Sequence, residues 1–532
     1  MTISAQSISL QWSDGSVAFP SLSYTLSPGF HALVGPNGCG KSSLARVLAS
    51  QAAQPELLPS SGHVHRTGSL GYVGQSEQAP TGTLATYLSA EPRLAALQRI
   101  AEGSVAAADF DEVGDRWHFA DDLRQQLQDV DLWLPAMGFD MPLANLSGGE
   151  FMRLQLLKVF GKCPDNLILD EPSNHLDAEG RAWLLKQCEA FCALPDRCLL
   201  VISHDRQLLQ HVDSVSELTA LGLGHYRGNY SDYAEQADIK RTAAERQLHD
   251  AIKQKKHIQQ KLQKTREKAE KRGAKGKADR AKGGQAKVML DFSKERSQQT
   301  SKALKTQVER QTAQAKEELT EAQQRVAARQ DIHIRFSDSA ATRKKRLLHT
   351  EHLVLPFGNN EPCTFTLRPG DKLHVRGANG SGKSTLLKVL AQQISPASGT
   401  LTLNTRAHFL DQRFSLVNPD LSVLENLTAY ADALSVTEAR TALVQSGLTR
   451  EAAERPASTL SGGETMKLAM LMVTLQPEPE LLLFDEPDNH LDILSKQQLA
   501  QAIKAYPGAL VVVSHDHYFV EDAGIHKALI LG

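Results

Sequence analysis

The sequence lacks the marks of a membrane-embedded or disulfide-stabilised protein. No apolar run approaches the roughly 20 residues that a membrane-spanning helix needs. The opening residues MTISAQSISLQW have no basic start followed by an apolar core, which disfavours a signal peptide. Six cysteines in 532 residues, at positions 39, 163, 188, 192, 198 and 363, form no paired CxxC metal pattern and suggest a reducing compartment. We therefore expect a cytoplasmic protein without a membrane domain.

Acidic residues outnumber basic ones over most of the chain, and positive charge is concentrated in one segment. Residues 253–310 contain 19 Lys and Arg against 6 Asp and Glu, a net charge of +13, whereas the whole chain carries −2. The stretch 264–287, KTREKAEKRGAKGKADRAKGGQAK, has ten basic residues, three acidic ones and no aromatic. A basic segment between two acidic bodies indicates a polyanionic partner. The alternative is a charged helix whose only role is to stay solvated.

The chain repeats itself at long range. Five motifs occur twice in the same order, at offsets of 342, 337, 314, 315 and 311 residues. They are GPNGCGKSS and GANGSGKST, the glutamines of LGYVGQ and AHFLDQ, LSGGEFMRLQ and LSGGETMKLA, LILDEPSNHLD and LLLFDEPDNHLD, and LLVISHD and LVVVSHD. Ordered motifs at near-constant offset predict a tandem duplication of one domain of about 200 residues.

The motif positions predict three regions: a first domain at 1–235, a helical linker at 236–335 and a second domain at 336–532. The offset falls by 23 residues between the glutamine and LSGGE, so the first copy carries an insertion, which we place within 85–135 and expect to be helical. The linker is rich in helix-forming residues. Glycines at 273, 276, 283 and 284 favour an antiparallel helical hairpin whose tip is the basic stretch. A single long helix is the alternative.

Two glycine-rich segments, GPNGCGKS and GANGSGKS, fit the phosphate-loop pattern G-x-x-x-x-G-K-[ST] between a predicted strand and a predicted helix. In that context the loop amides close around phosphates at the helix N-terminus. Lys41 and Lys383 should reach the β- and γ-phosphates of ATP, and Ser42 and Ser384 should bind Mg²⁺. The predicted ATP-binding residues of the two loops are Gly35, Asn37, Gly38, Gly40, Lys41, Ser42, Ser43, Gly377, Asn379, Gly380, Gly382, Lys383, Ser384 and Thr385.

LILDEP and LLLFDEP read as apolar strands that end in two acids. Asp170 and Asp485 suit the surroundings of Mg²⁺, while Glu171 and Glu486 suit polarisation of the attacking water. The alternative is a solvated turn at each strand end. A histidine follows a later apolar strand in both copies. It has either a structural role or contacts the γ-phosphate, and its recurrence at matching positions favours the contact. The predicted catalytic residues are Glu171, Glu486, His204 and His515.

LSGGE precedes a helical pattern in both copies, where Ser and two Gly would form an anion site at a helix N-terminus. With this motif the sequence resembles the ATP-binding cassette family, whose signature motif completes the ATP site of the opposite cassette. The resemblance implies an α/β fold with two tandem P-loop NTPase cassettes joined by the helical hairpin linker. It also implies two composite sites, one pairing Lys41 with Ser461 and the other pairing Lys383 with Ser147. ATP would join the cassettes, and hydrolysis would release them.

The same resemblance extends the site beyond the phosphate loops. It adds further residues to the predicted ATP-binding set, with Trp12 as the one that stacks on adenine: Ser147, Gly148, Gly149, Ser461, Gly462, Gly463, Gln75, Gln412 and Trp12. It gives the metal-binding residues as Ser42, Ser384, Gln75, Gln412, Asp170 and Asp485. In the second copy Phe357 is a less well placed candidate for adenine stacking, and ordinary core packing is the alternative for both aromatics.

Twin cassettes on one chain, SNHLD and DNHLD after the acids, and YRGNYSDY at 226–233 resemble the ABC-F branch. The resemblance implies a monomeric, ribosome-associated ATPase without an obligatory protein partner. Its linker would reach from the tRNA exit site toward the peptidyl-transferase region, and the insertion would act as an arm. Asp488 departs from the branch, which usually has Thr or Ser there. Contacts with rRNA and tRNA phosphates are expected at Lys271, Arg272, Lys275, Lys277, Arg280 and Lys282.

Two other functions stay open at this point. A DNA-associated, repair-type ATPase would also join two cassette halves through a coiled coil, but such coiled coils run to hundreds of residues and this linker has about 100. The cytosolic ATPase subunit of an exporter would need a partner that supplies the membrane domain.

Overall fold

The computed structural model contains two similar α/β domains and a helical linker. Met1–Ser231 and Asp331–Gly532 form one compact unit, which holds both domains, and Asp232–Gln330 forms a second unit. The structure describes residues 2–11, 17–50, 59–74, 81–130, 132, 138–174, 176–281, 310, 313–314, 316, 319–320, 346–378, 380–411, 414–430, 434–446, 448, 450–475, 481–489 and 491–531.

The first domain alternates strands and helices along most of its length, as its motif order predicts. Its elements are β1 (Ile3–Gln11), β2 (Val17–Leu26), β3 (Gly29–Val34), α1 (Lys41–Ala49), β4 (Ser61–Arg66), β5 (Leu70–Val73), α2 (Leu84–Tyr87), α3 (Glu91–Ala101), α4 (Ala107–Val113), α5 (Phe119–Gln128), α6 (Gly148–Gly161), β6 (Asn166–Asp170), α7 (Ala178–Cys192), β7 (Cys198–Ile202), α8 (Arg206–Leu209), β8 (Ser214–Thr219) and β9 (Gly222–Arg227).

Two sheets organise the first domain. The larger has the strand order β5-β6-β7-β3-β8-β9, with only β9 antiparallel to its neighbour, and the smaller is antiparallel with the order β2-β1-β4. Strands β6 and β7 are buried along their whole length, as expected for parallel strands covered on both faces. Asp170, at the end of β6, is in register with Ile202 of β7. The acidic end of β6 therefore lies at the sheet edge where the loop after β3 begins.

The second domain repeats this plan. Its larger sheet has the order β14-β15-β16-β12-β17 and its smaller sheet the order β11-β10-β13, so the predicted duplication is confirmed in the topology. Its elements are β10 (Leu348–Val354), β11 (Cys363–Leu367), β12 (Lys372–Arg376), α10 (Lys383–Leu390), β13 (Ser398–Leu403), β14 (Ala407–Leu410), α11 (Val423–Tyr430), α12 (Val436–Gln445), α13 (Arg450–Ala453), α14 (Gly462–Thr474), β15 (Leu481–Asp485), α15 (Ile493–Ala505), β16 (Ala509–Val513), α16 (His517–Asp522) and β17 (Lys527–Ile530).

A pair of helices distinguishes the first domain from the second. Helices α3 and α4 pack against each other between α2 and α5, inside the range 85–135. In the second domain α12 is the next helix after α11 among the described residues. Thr83 forms a backbone bridge with Pro142, and Ser422 forms the matching bridge with Pro456. These bridges mark equivalent points of the two domains, so the 23-residue difference in motif offset falls on α3 and α4.

The linker begins as one continuous helix, α9 (Tyr230–Ala281), of 52 residues. The predicted turn at Gly273 and Gly276 is wrong, because α9 continues through both glycines. Each glycine costs a helix only about 1 kcal/mol, which the surrounding Lys, Ala, Glu and Arg residues offset. Gly283 and Gly284, and with them the rest of the predicted hairpin tip, lie outside the described residues. Among the described helices, none combines the length and the apolar composition needed to cross a membrane.

The N-terminal end of α9, which we call its root, contacts an arginine that also contacts the second domain. Tyr230 is buried, and the Arg206 guanidinium lies 5.7 Å from the centre of its ring. Arg206 Nη1 also donates to Asp522 Oδ2 at 2.7 Å. One side chain therefore contacts both the first turn of α9 and α16 of the second domain.

Candidate nucleotide site

The first glycine-rich loop joins β3 to α1 and is shaped around its glycines. Gly40 precedes α1 with φ of 95°, and a Cβ there would lie 2.4 Å from Ala18 O, so only glycine fits. Lys41 begins the helix, and its buried Nζ donates to Gly35 O at 2.8 Å and Pro36 O at 2.9 Å. The loop thus presents backbone amides and an ammonium group at a helix N-terminus, which suits the phosphates of a nucleotide.

The second loop, between β12 and α10, has the same construction. Gly382 adopts φ of 97°, and Lys383 Nζ donates to Gly377 O at 2.8 Å and Ala378 O at 2.9 Å. Burial lowers the pKa of Lys383, while the nearby Glu486 carboxylate opposes the shift. Both predicted phosphate loops are therefore present with matching geometry.

A hydroxyl and a carboxylate meet beside each loop. Ser42 Oγ donates to Asp170 Oδ1 at 3.2 Å, and Ser384 pairs with Asp485 in the same way. Asp170 is fully buried, burial raises its pKa, and its Oδ2 has no hydrogen-bond partner among the described residues. A buried carboxylate oxygen left without a donor beside a serine hydroxyl is the oxygen-ligand chemistry that Mg²⁺ prefers.

These four residues fit a magnesium ion bound together with ATP, and they would hold it between loop and strand. When bound, Mg²⁺ neutralises phosphate charge and orients the phosphoryl group. The two predicted glutamine ligands, Gln75 and Gln412, lie outside the described residues, as do Asn379 and Trp12.

The two predicted catalytic glutamates share an unusual backbone conformation. Glu171 and Glu486 have φ of 51° and 50°, a left-handed conformation that costs a non-glycine residue on the order of 1–3 kcal/mol. Each is held by a backbone hydrogen bond to the neighbouring strand, from Glu171 N to Ile202 O at 2.8 Å and from Glu486 N to Val513 O at 2.9 Å. The same strain at equivalent positions indicates that the position of the carboxylate matters in both cassettes.

Each glutamate lies against the predicted histidine. His204 Nε2 is 3.4 Å from Glu171 Oε1, and His515 Nε2 is 3.6 Å from Glu486 Oε1. Burial lowers the pKa of His204 well below its ordinary value and that of His515 to about 4, so both imidazoles are neutral near pH 7. Burial raises the pKa of Glu171 to about 7, which suits a group that accepts a proton from water.

The first loop opens into a cavity of about 410 Å³ that draws on both cassettes. The first cassette contributes the loop, Glu171 and His204, and the second contributes the segment after its acidic strand. Asn37 N donates across the boundary to Asp492 Oδ2 at 2.9 Å. The cavity-lining residues from the second cassette are Asp488, Asn489, Leu491 and Lys496.

The signature motifs form well-defined helix starts. Ser147 caps α6 by accepting from Glu150 N at 3.3 Å while Ser147 N donates to the Glu150 side chain at 2.7 Å. Ser461 and Glu464 form the same reciprocal pair at the start of α14. In the described part of the chain, Ser461 is not among the residues that line the cavity around Lys41. The pairing of each signature with the opposite loop therefore stays a prediction.

Phe357 lies beside the second phosphate loop, and its role as a base-stacking residue stays a prediction. Its side chain is 73 % exposed, and a Cβ on the following Gly358 would lie 2.5 Å from the Cα of Gly382. Asn359 N also donates to Ser381 O at 3.0 Å. An exposed aromatic is thus held directly against the second phosphate loop.

Sequence reasoning missed a set of buried charges behind the cavity. Arg181 pairs with Asp205, and Lys496 pairs with Asp516, at equivalent positions of the two cassettes. The signal was available, because both cations occur four residues after the repeated Asp of the NHLD motif, on the first turn of α7 and α15.

A family model described as ABC transporter matches residues 20–174 and 361–489, together more than half of the chain. The chain belongs to the ABC transporter family. Each matched region of this ABC protein contains a phosphate loop, a signature motif and an acidic strand end. The ABC protein is accordingly an ATPase, as predicted.

Similar proteins agree with a twin-cassette architecture. ABC transporter F family member 5 of Arabidopsis thaliana is 28% identical over 527 residues, 92% of this chain and 69% of the relative. Ribosome protection protein VmlR of Bacillus subtilis (strain 168) is 28% identical over 424 residues, 78% of this chain and 73% of the relative. The archaeal ribosome recycling factor aABCE1, solved with the stalk protein aP1, gives a TM-score of 0.57 at 16% identity over 98% of this chain and 87% of that chain, which shows the shared fold. The predicted ABC-F type of this ABC protein is confirmed.

Proposed function

We propose that this ABC-F-type ATPase is a ribosome-associated translation factor. Its cassettes close on ATP and separate after hydrolysis, and its linker contacts rRNA and tRNA near the tRNA exit site. The relative VmlR is named a ribosome protection protein, which supports this class of function. ATP and Mg²⁺ are the ligands, with Glu171 and Glu486 orienting water and with the phosphate loops, the signatures and Gln75 and Gln412 enclosing the nucleotides.

The observation that carries the proposal is the basic character of α9. A helix of 52 residues is about 78 Å long, which is more than the diameter of a cassette-sized domain. The stretch 264–287, most of which belongs to α9, has ten basic and three acidic residues. A long cationic helix is suited to phosphate backbones, whose contacts give affinity without reading sequence.

The test is co-sedimentation with ribosomes in a Glu171→Gln, Glu486→Gln background, in which ATP stays bound. Reversing Lys271, Arg272, Lys275, Lys277, Arg280 and Lys282 to Glu should abolish sedimentation. For the parent, affinity should fall about 10³–10⁵-fold between 50 and 200 mM salt if 6–10 phosphates are contacted.

A matched pair of triple variants controls for net charge. The distal triple changes the charge of the C-terminal half of α9 by six units and consists of Lys271→Glu, Arg272→Glu and Lys275→Glu. The proximal triple makes the same change in the N-terminal half and consists of Lys240→Glu, Arg246→Glu and Lys253→Glu. The distal triple should lose ribosomes and the proximal triple should keep most of its binding. Equal sedimentation of both triples with the parent would mean that the run only solubilises the helix. Retained binding to duplex DNA with no binding to ribosomes would favour a DNA-associated ATPase instead.

A further inference from the structure

A buried group of charged side chains lies where the two cassettes meet. In the first cassette Arg181 Nη1 is 3.5 Å from Asp205 Oδ2, and in the second Lys496 Nζ is 2.9 Å from Asp516 Oδ2. All four side chains are at most 10 % exposed. These pairs occupy equivalent positions, so the duplication has preserved an internal ion pair in each cassette.

The second cassette adds a third charge that the first lacks. Asp488, which is 1 % exposed, hydrogen-bonds Ser514 and lies near Lys496. Its counterpart Ser173 instead lies 3.3 Å from the hydroxyl of Ser203. Burial lowers the pKa of Lys496, but Asp516 and Asp488 together raise it above its ordinary value, so the side chain is an ammonium ion. The Lys496 ammonium group is therefore ion-paired with Asp516 and lies in the field of a second buried carboxyl group of its own cassette.

Lys496 also reaches the opposite cassette. Its Nζ donates to His204 O at 3.4 Å, and its side chain lines the cavity that holds Lys41 and Glu171. Arg181 lines the same cavity, but its Nε donates to Leu176 O at 3.1 Å within its own cassette. Among the described residues, Lys496 is thus the one of these two equivalent cations that hydrogen-bonds to the backbone of the opposite cassette.

We propose that Lys496 is a positioning residue for hydrolysis at the site built on Lys41. From the second cassette it fixes the backbone of His204, and thereby the imidazole that contacts Glu171. Asp516 fixes the ammonium group in turn, and the nearby Asp488 strengthens the field that holds it. The Lys41 site is therefore completed only when the second cassette is in place, and it differs in turnover from the Lys383 site. This inference concerns the ATPase itself and is independent of ribosome binding.

The test is steady-state ATP hydrolysis without ribosomes by the full-length chain carrying Glu486→Gln, so that turnover reports the Lys41 site, and this chain is the parent for the variants below. Lys496→Met should lower kcat about tenfold or more, because a misplaced catalytic group costs rate rather than substrate affinity. The KM for ATP should stay within about threefold of the parent, because Lys496 holds protein backbone. Lys496→Arg, which copies the cation of the first cassette, should recover kcat to within about threefold of the parent.

A double-mutant cycle tests the role of Asp488. Asp488→Asn should lower kcat in the same direction as Lys496→Met, and the double variant should be no slower than Lys496→Met alone, because both changes act through one contact. Additive losses would show that Asp488 acts elsewhere and would overturn its assigned role.

A structural role for Lys496 predicts a different pattern. Lys496→Met and Lys496→Arg would then lose activity together, with a lower melting temperature and weaker binding of a fluorescent ATP analogue. Either that pattern or an unchanged kcat in Lys496→Met overturns the proposal. A lower kcat with normal ATP binding and rescue by arginine supports it.

Discussion

The two cassettes differ least at their loops and acidic strand ends and most in what surrounds them. Both keep a left-handed glycine before the phosphate-loop lysine, a strained glutamate and a neutral histidine. Only the first cassette has the helix pair α3 and α4 among the described residues, and it has Ser173 where the second has Asp488. The glycine before the phosphate-loop lysine lies next to Ala18 in the first cassette and next to Phe357 in the second. The shared features are those around the phosphate loops, and the differing features lie in the segments next to them.

The largest expected effect tests whether the two catalytic glutamates, which both cassettes share, have the same role in each. Glu171→Gln and Glu486→Gln together should lower kcat for ATP on the order of 10²–10⁴-fold, because neither amide can accept a proton from water. Binding of ATP should persist, as measured by equilibrium dialysis. The two single variants, compared by phosphate release, give the share of each site. Unchanged turnover in the double variant would remove both glutamates from the mechanism.

A smaller effect is expected from the glycine that precedes each lysine. An alanine Cβ at position 40 would meet Ala18 O at 2.4 Å, whereas at position 382 its nearest neighbour is the Leu355 Cδ1 methyl at 2.9 Å. Gly40→Ala should therefore lower the melting temperature and ATP stoichiometry more than Gly382→Ala.

Gly38→Ala is the control for that comparison. It also has positive φ, of 78°, but its Cβ would meet nothing within 4 Å, so it should cost only the left-handed strain of about 1–2 kcal/mol. Equal losses in Gly38→Ala and Gly40→Ala would mean that the contact with Ala18 is relieved by a small shift of the loop.

The smallest effect concerns the aromatic beside the second loop. Phe357→Ala should weaken ATP binding at that site by about 1 kcal/mol, roughly fivefold, through loss of base stacking, and Phe357→Tyr should not. Titration with a fluorescent ATP analogue should show the change in one of two sites. Trp12→Ala gives the corresponding measurement for the first cassette. Unchanged ATP affinity in both alanine variants would mean that other groups bind the base.

The sequence was sufficient for the chemistry that requires fixed residue types at fixed spacing. The loops around Lys41 and Lys383 and the acids after β6 and β15 appear where the motifs place them. The turn at Gly273 failed because a glycine is a weak helix breaker, and its neighbours decide the outcome. Lys496 was missed because a charged residue in a first helical turn is usually solvated, and only the packing of two cassettes buries it.

The unbroken length of α9 has a mechanical consequence. A helix of 52 residues behaves as a stiff rod about 78 Å long, so a rotation of about 5° at its root moves its far end by about 7 Å. At this root the Tyr230 ring packs against the Arg206 guanidinium, which also donates a hydrogen bond to Asp522 of the second cassette. A small change at the Arg206 contacts that turns this first turn of α9 is therefore amplified, through leverage alone, along the length of the helix.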